Sequence, residues 1–177
     1  HQSPRGNPLS DTALPDALPA AVFAVQAARL GLRTAASIIF PHEAAAQQYM
    51  QPLADLGIDV SACRVDSAHS TGHDPAARTD IISGAAPNIA DHIHIPGYCK
   101  QNKLHGNLDV LLERARANYQ SVSLSLHWDG IGSLQEVRNL LPHINVLLPG
   151  EQEAIALTNT GDAEAAISSL ASRVAVV

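Results

Sequence analysis

Glu151 and Glu153 follow Pro149-Gly150 at the end of the apolar run Ile144 to Leu148. Carboxylates in the first turn of a helix can hold a divalent cation through water, or simply complement the positive end of the helix dipole. The second use is the commoner, and spacing alone assigns both residues to it. His92 and His94 are another candidate. An H-x-H pair on a strand points both imidazoles to one face, which suits zinc or non-haem iron once Cys99 or another ligand joins them. No further ligand stands at a diagnostic spacing, so the pair reads as exposed or edge histidines opposite Ile93 and Ile95. Ser125, His127 and Asp129 are the residue types of a hydrolase triad, but triad members come from separate elements and no nucleophile elbow is present. Neither a Walker A loop nor a G-x-G-x-x-G turn occurs, which disfavours the P-loop and Rossmann readings.

The elements that must position these residues follow from the apolar pattern. Ser133 and Glu136 have the spacing of a capping box, opening a helix with Leu134, Val137, Leu140 and Leu141 on one face. Pro142 stops it. Ile144 to Leu148 reads as a strand buried on both faces of a parallel sheet. Pro149-Gly150 breaks that strand, and Glu151 to Glu153 open the next helix. Ligands of open α/β sheets bind at the carboxyl ends of strands, so Pro149 to Glu153 is the expected place for chemistry.

Upstream, residues 1–19 lack a period and read as a loosely held arm. Ala20 to Leu30 is a helix closed by Gly31. Arg33 to Phe40 reads as a strand, and Glu43 to Leu56 as a helix in which Pro52 marks a kink or an early end. A helix end at Gly57 and a strand from Ile58 follow. Asp91 to Pro96 is a short strand. Asn107 can cap a helix with the stripe Leu108, Leu111, Leu112, Ala115 and Tyr119. Ser121 to Leu126 alternates like a strand. Asp162 can cap a helix from Ala163 to Ala171, and Val174 to Val177 begins another strand. This alternation predicts a parallel sheet with right-handed crossovers, in which 122–126 and 144–148 are neighbours and 174–177 joins them.

The bulk properties bound the function. The chain has 177 residues, 46% apolar and 16% charged, as expected of one globular domain with a real core. A net charge of -6 argues against nucleic acid as the main partner. Cys63 and Cys99 give no disulfide framework, which fits a reducing compartment. No apolar run approaches the ~20 residues of a membrane span. The start, HQSPRGNPLSD, is polar and unlike a signal peptide, so the expected location is the cytoplasm, with no membrane partner.

The phrase LLPHINVLLPGEQEAIALT resembles the ribokinase-like (PfkB) carbohydrate kinases, whose members carry an Asn-x-x-Glu motif at a strand end before an apolar helix. The motif's Glu falls on Glu153 and its Asn on Gly150. AVFAVQAARLGLRTAASI is similar to the family's first signature, whose glycines would fall near Ala17 and Leu18 and whose sugar-gripping Asn near Val22. LADLGIDVSACRVDSAHSTG and ARTDIISGAA also resemble family phrases.

The resemblance implies a three-layer α/β/α domain over 1–177, with a mostly parallel central sheet and a small β lid. The lid strands would come from 58–72 and 77–86. It implies transfer of the ATP γ-phosphate to the hydroxyl of a sugar or nucleoside, with Mg²⁺. Glu153 would help organise the metal, and Gly84, Ala85 and Gly97 would line the substrate pocket. The family's catalytic Asp and anion hole belong to a Gly-Ala-Gly-Asp segment that 1–177 does not contain, so no catalytic residue is assigned. That gap, and the short connections at Ala17–Ala20 and Thr71–Pro75, lead us to expect a longer protein. An uncovered lid face implies a homodimer. The alternative reading is a non-catalytic binding or regulatory relative, because Val22 and Gly150 stand where the family has Asn. The choice among pentose, hexose, sugar acid and nucleoside is left open.

Overall fold

The computed structural model describes residues 19–40, 42–65, 89–100, 108–130 and 134–177. Chain contacts fall into two compact units, residues 1–66 and 67–177. Residues 1–18, most of the expected lid with Gly84 and Ala85, and the expected caps Asn107 and Ser133 lie outside the described residues.

The first unit is built on a small parallel pair. Helix α1 (Pro19–Arg29) turns its small residues Ala21, Ala24 and Val25 inward. Strand β1 (Ile39–Phe40) lies parallel to β2 (Arg64–Val65), in the register Ile39 to Arg64 and Phe40 to Val65. The expected strand over 33–40 is thus regular only at its end, with one isolated parallel bridge at Ala35 to Asp59. Helix α2 (Glu43–Asp55) starts at His42, whose Nδ1 accepts the Ala45 N–H at 3.2 Å. It continues past Pro52 to Asp55 instead of ending early. The residue that follows the proline, Leu53, is fully buried, and its packing offsets the backbone bond that proline cannot make. Gly57 then takes a φ of +77°, a conformation that reverses the chain at low cost only for glycine. Phe40 stacks on Tyr49 within this core, with ring centroids 6.3 Å apart.

The second unit repeats strand, helix, strand. Strand β3 (His92–Ile95) pairs with β4 (Ser121–Ser125), and β4 with β5 (Val146–Leu148), all parallel. Val176 bridges in parallel to Val146, so the segment from 174 joins the same sheet as expected. Helix α3 (Leu108–Ala117) links β3 to β4, and helix α4 (Gln135–Leu140) with the 3-10 turn Leu141–His143 links β4 to β5. Helix α4 begins one turn-residue later than its expected cap: Leu134 is the N-cap and makes no side-chain capping bond. Helices α5 (Glu151–Thr158) and α6 (Ala163–Ala171) follow β5. Asp162 caps α6 as expected, its Oδ1 accepting the Ala165 N–H at 2.8 Å. Leu112, Leu124, Leu126, Leu147, Leu157 and Leu170 form the centre of this core.

One local expectation fails for a physical reason. Tyr119 does not extend the α3 stripe. The helix ends at Ala117, Tyr119 adopts a φ of +57° and is 97% exposed, because the chain must turn at once to enter β4. Strand β4 is a core strand, as expected, in spite of its serines. Ser123 is 4% exposed and Leu124 0%, so β4 is covered on both sides. Its serines are tolerated because they are hydrogen-bonded, as described next.

Candidate functional site

The carboxyl ends of β3, β4 and β5 bring together three chain segments that are far apart in sequence. After β3 the chain turns at Gly97, which has a φ of +61°. Its N–H donates to Ser125 Oγ at 3.1 Å, and the Cys99 N–H donates to the Leu126 carbonyl at 2.9 Å. The segment after β3 is thereby stitched to the segment after β4. Gly97, expected to line a substrate pocket, is buried at this junction. Ser125, weighed as a triad member, accepts the Gly97 N–H.

Glu153 joins the segment after β4 to the segment after β5. Its Oε1 accepts the Trp128 N–H at 2.7 Å and its Oε2 accepts the Gly150 N–H at 2.7 Å. The second bond satisfies an orphan amide at the start of α5, the capping-box role of a carboxylate at the third helical position. Gly150 itself has no side chain to complete the box. Bonds of this length from neutral amides to a carboxylate are charge-assisted and stronger than ordinary ones. The far end of α5 is held as well: Arg138 Nε donates to the Leu157 carbonyl at 2.7 Å and an Nη to the Ala156 carbonyl at 3.0 Å. A cation at a helix carboxyl end satisfies carbonyls left without partners and complements the dipole.

Trp128, Asp129, Gln152, Glu153 and Ile155 line an open depression of about 460 Å³ between the segment after β4 and α5. Clefts of small-molecule sites run from roughly 300 to 1,000 Å³. The surroundings are acidic. The Cys99 thiol is pushed up to about 11, first by burial and then by the charges of Glu153 and Asp129. It therefore stays a neutral thiol at pH 7 and is a poor nucleophile. Tyr98 is pushed up to about 12 by burial and by the Glu136 carboxylate beside it.

The fit to Mg²⁺ follows from this donor set. Among the described residues no group of three or more His, Cys, Asp or Glu side chains is placed to hold a metal ion. Magnesium does not need such a cage, because it keeps most of its water and takes one or two carboxylates plus phosphate oxygens. Each Glu153 oxygen accepts one amide and retains a lone pair, so a hydrated Mg²⁺ fits beside it.

His92 and His94 lie on β3, an edge strand of the described sheet as expected, and their rings meet the serines of β4. His92 Nδ1 lies 2.7 Å from Ser121 Oγ, and its Nε2 lies 2.7 Å from Ser123 Oγ. His94 Nδ1 lies 2.7 Å from the same Ser123 Oγ. The parallel register sets His92 opposite Ser121 and His94 opposite Ser123, which produces this ladder. Burial lowers the pKa of His92. Burial, and then the charge of His92, lowers that of His94 to about 4.

The stretch Pro149 to Glu153, singled out in the sequence, supplies Gln152 and Glu153 to the depression, while Trp128 and the electrostatic link between Cys99 and Glu153 were not foreseen. Trp128 contributes a backbone amide, which no side-chain motif announces. Cys99 enters only because two strand ends meet.

No protein-family model matches the sequence. No curated protein does either. Solved structures do match. The PfkB protein from Polaromonas sp. JS666 aligns with a TM-score of 0.66 at 18% identity, over 86% of this chain and 61% of that one. Fructokinase from Xylella fastidiosa aligns at 0.68 and 18% identity, over 88% of this chain and 57% of that one. A candidate ribokinase II from E. coli, solved in complex with ATP and Mg²⁺, aligns at 0.63 and 16% identity, over 87% of this chain and 58% of that one. The chain thus spans about three fifths of the length of these proteins. Parallel strands in the predicted order, a glutamate at a strand-end helix start and these neighbours agree: the chain has the α/β fold of the PfkB and ribokinase carbohydrate kinases.

Proposed function

We propose that this chain is part of an ATP-dependent kinase that transfers the γ-phosphate to the hydroxyl of a sugar or sugar-like small molecule. The observation that carries the reading is Glu153, fixed by two amides at the carboxyl ends of β4 and β5 in a ribokinase-like fold. The acidic surroundings support it too. A polyphosphate approaches Glu153 and Asp129 only with a cation between, which is the arrangement phosphoryl transfer uses. In this reading Glu153 holds hydrated Mg²⁺ beside the phosphates, and Gly97, Gly84 and Ala85 border the acceptor. Gly97 shapes the β3 end through its N–H bond to Ser125 and its positive φ. The metal, when bound, neutralises charge on the transferred group, and the residues here orient it.

The 177 residues hold no Gly-Ala-Gly-Asp segment. The resemblance assigns the proton-accepting Asp and the phosphate-steadying amides to that segment. The expected outcome is therefore no turnover by the 177-residue chain, and ATP- and Mg²⁺-dependent turnover by a protein that adds the segment. The assay is a panel of pentoses, hexoses, sugar acids and nucleosides with labelled ATP on both proteins. Turnover by the 177-residue chain would overthrow this placement of the base. Two observations favour a second reading, a binding or regulatory relative: Gly150 offers no side chain where the family has Asn, and Val22 is 42% exposed without a polar group to grip a sugar. Sugar binding without turnover by the longer protein is its signature.

A further inference from the structure

We propose that Glu153 is a positioning residue that latches the Trp128–Gly130 segment to the start of α5 and so sets the width of the depression between them. The proposal rests on the kinase reading only for its catalytic consequence. The latch itself is a statement about this chain's hydrogen bonds.

The segment after β4 is not held by strand continuation. His127 has a φ of +52° and Gly130 a φ of +87°, so the chain bends sharply on both sides of Trp128 and Asp129. A bend at a non-glycine residue costs about 1 kcal/mol or more and persists only where the surroundings hold it. One tether is the Trp128 N–H on Glu153 Oε1, at 2.7 Å. The other carboxylate oxygen is engaged at the Gly150 N–H, also at 2.7 Å, so one rigid group spans both segments. Helix α5 is in turn anchored at its far end by Arg138. Any change in the Glu153 carboxylate is therefore transmitted to the Trp128 segment and not absorbed by a moving helix. Trp128 and Glu153 both line the depression.

Glutamine at 153 is isosteric, yet its amide nitrogen donates and cannot accept. Whichever way it faces, one of the two backbone N–H groups loses its acceptor. Trp128 is the single tryptophan of the chain, so its fluorescence reports the segment without labelling.

The experiment uses the full-length protein without ATP or Mg²⁺. Amide exchange is read at Trp128 and Gly150, and acrylamide quenching at the Trp128 ring, for the wild type, Glu153→Gln and Glu151→Gln. In the wild type the Trp128 amide is expected to exchange at least tenfold more slowly than an open loop, although it lies outside any helix or strand. Exchange there at the free-loop rate overturns the latch without recourse to a variant. Glu153→Gln is expected to raise Trp128 or Gly150 exchange at least tenfold and to increase quenching, while Glu151→Gln does neither. Unchanged exchange at both amides in Glu153→Gln overturns the proposal. In the kinase assay the latch predicts a larger fall in kcat than rise in sugar KM. Lost turnover with unchanged exchange leaves the kinase reading standing and removes the latch. Raised exchange in a protein that phosphorylates nothing keeps the latch and removes the kinase reading.

Discussion

The side chain that organises β3 and β4 is Ser123. Its hydroxyl meets His92 Nε2 and His94 Nδ1, each at 2.7 Å, and a hydroxyl has a single hydrogen to give. It can donate to one ring while accepting an N–H from the other, which couples the tautomers of the two imidazoles. One consistent arrangement runs from His94 through Ser123 and His92 to Ser121, whose hydroxyl then reaches the Asp91 carbonyl at 3.4 Å. Ser123→Ala leaves two ring nitrogens without this partner and is expected to cost about 1–3 kcal/mol in a denaturant titration. The pH dependence has a definite sign. In the folded chain His94 titrates at about 4, against a usual value of 6.5. Between those values the unfolded chain takes up a proton that the folded one refuses, so stability is fully present above 6.5 and falls as pH drops toward 4. With its partial exposure allowed for, the loss is on the order of 1–2 kcal/mol. Urea midpoints at pH 7 and pH 5 should differ less in His94→Asn than in the wild type.

At the scale of elements, α5 is held by its ends more than by its stripe. Only Ala154 and Leu157 of its eight residues are buried. A helix this short is marginal on its own, and its stability comes from contacts outside it. Arg138→Ala removes the donors to the Leu157 and Ala156 carbonyls and is expected to cost about 1–2 kcal/mol. Asp162→Ala removes a single N-cap bond of α6 and is expected to cost about 1 kcal/mol. Thermal unfolding of the two variants ranks them, and amide exchange within 151–158 should rise only in the first. The element boundaries were readable where they depend on local chemistry. Gly57 ends α2 and Asp162 starts α6, because left-handed backbone and capping bonds involve residues a few positions apart. The reading failed where a neighbour decides: Tyr119 leaves its stripe because the chain must enter β4.

At the scale of the whole molecule, the expected assembly is a homodimer through the lid, since a sheet face the core does not cover favours association. Sedimentation of the full-length protein across a wide concentration range tests it, and a monomer throughout would count against it. What the sequence determined unaided was the order of strands and helices in the second unit, the parallel class of its sheet, and the position of Glu153 at a strand-end helix start. Each rests on a periodic apolar pattern or a near-neighbour signal, which the chain carries locally. Tertiary structure decided the rest. The sequence does not say that Glu153 takes the Trp128 amide, that the charges of Glu153 and Asp129 reach the Cys99 thiol, or that His92 and His94 share Ser123. Those pairings join residues 25 to 54 positions apart, and they exist only once the register His92 to Ser121 and Ser123 to Val146 aligns three strand ends. Register is set by how whole faces pack, so no single residue announces it.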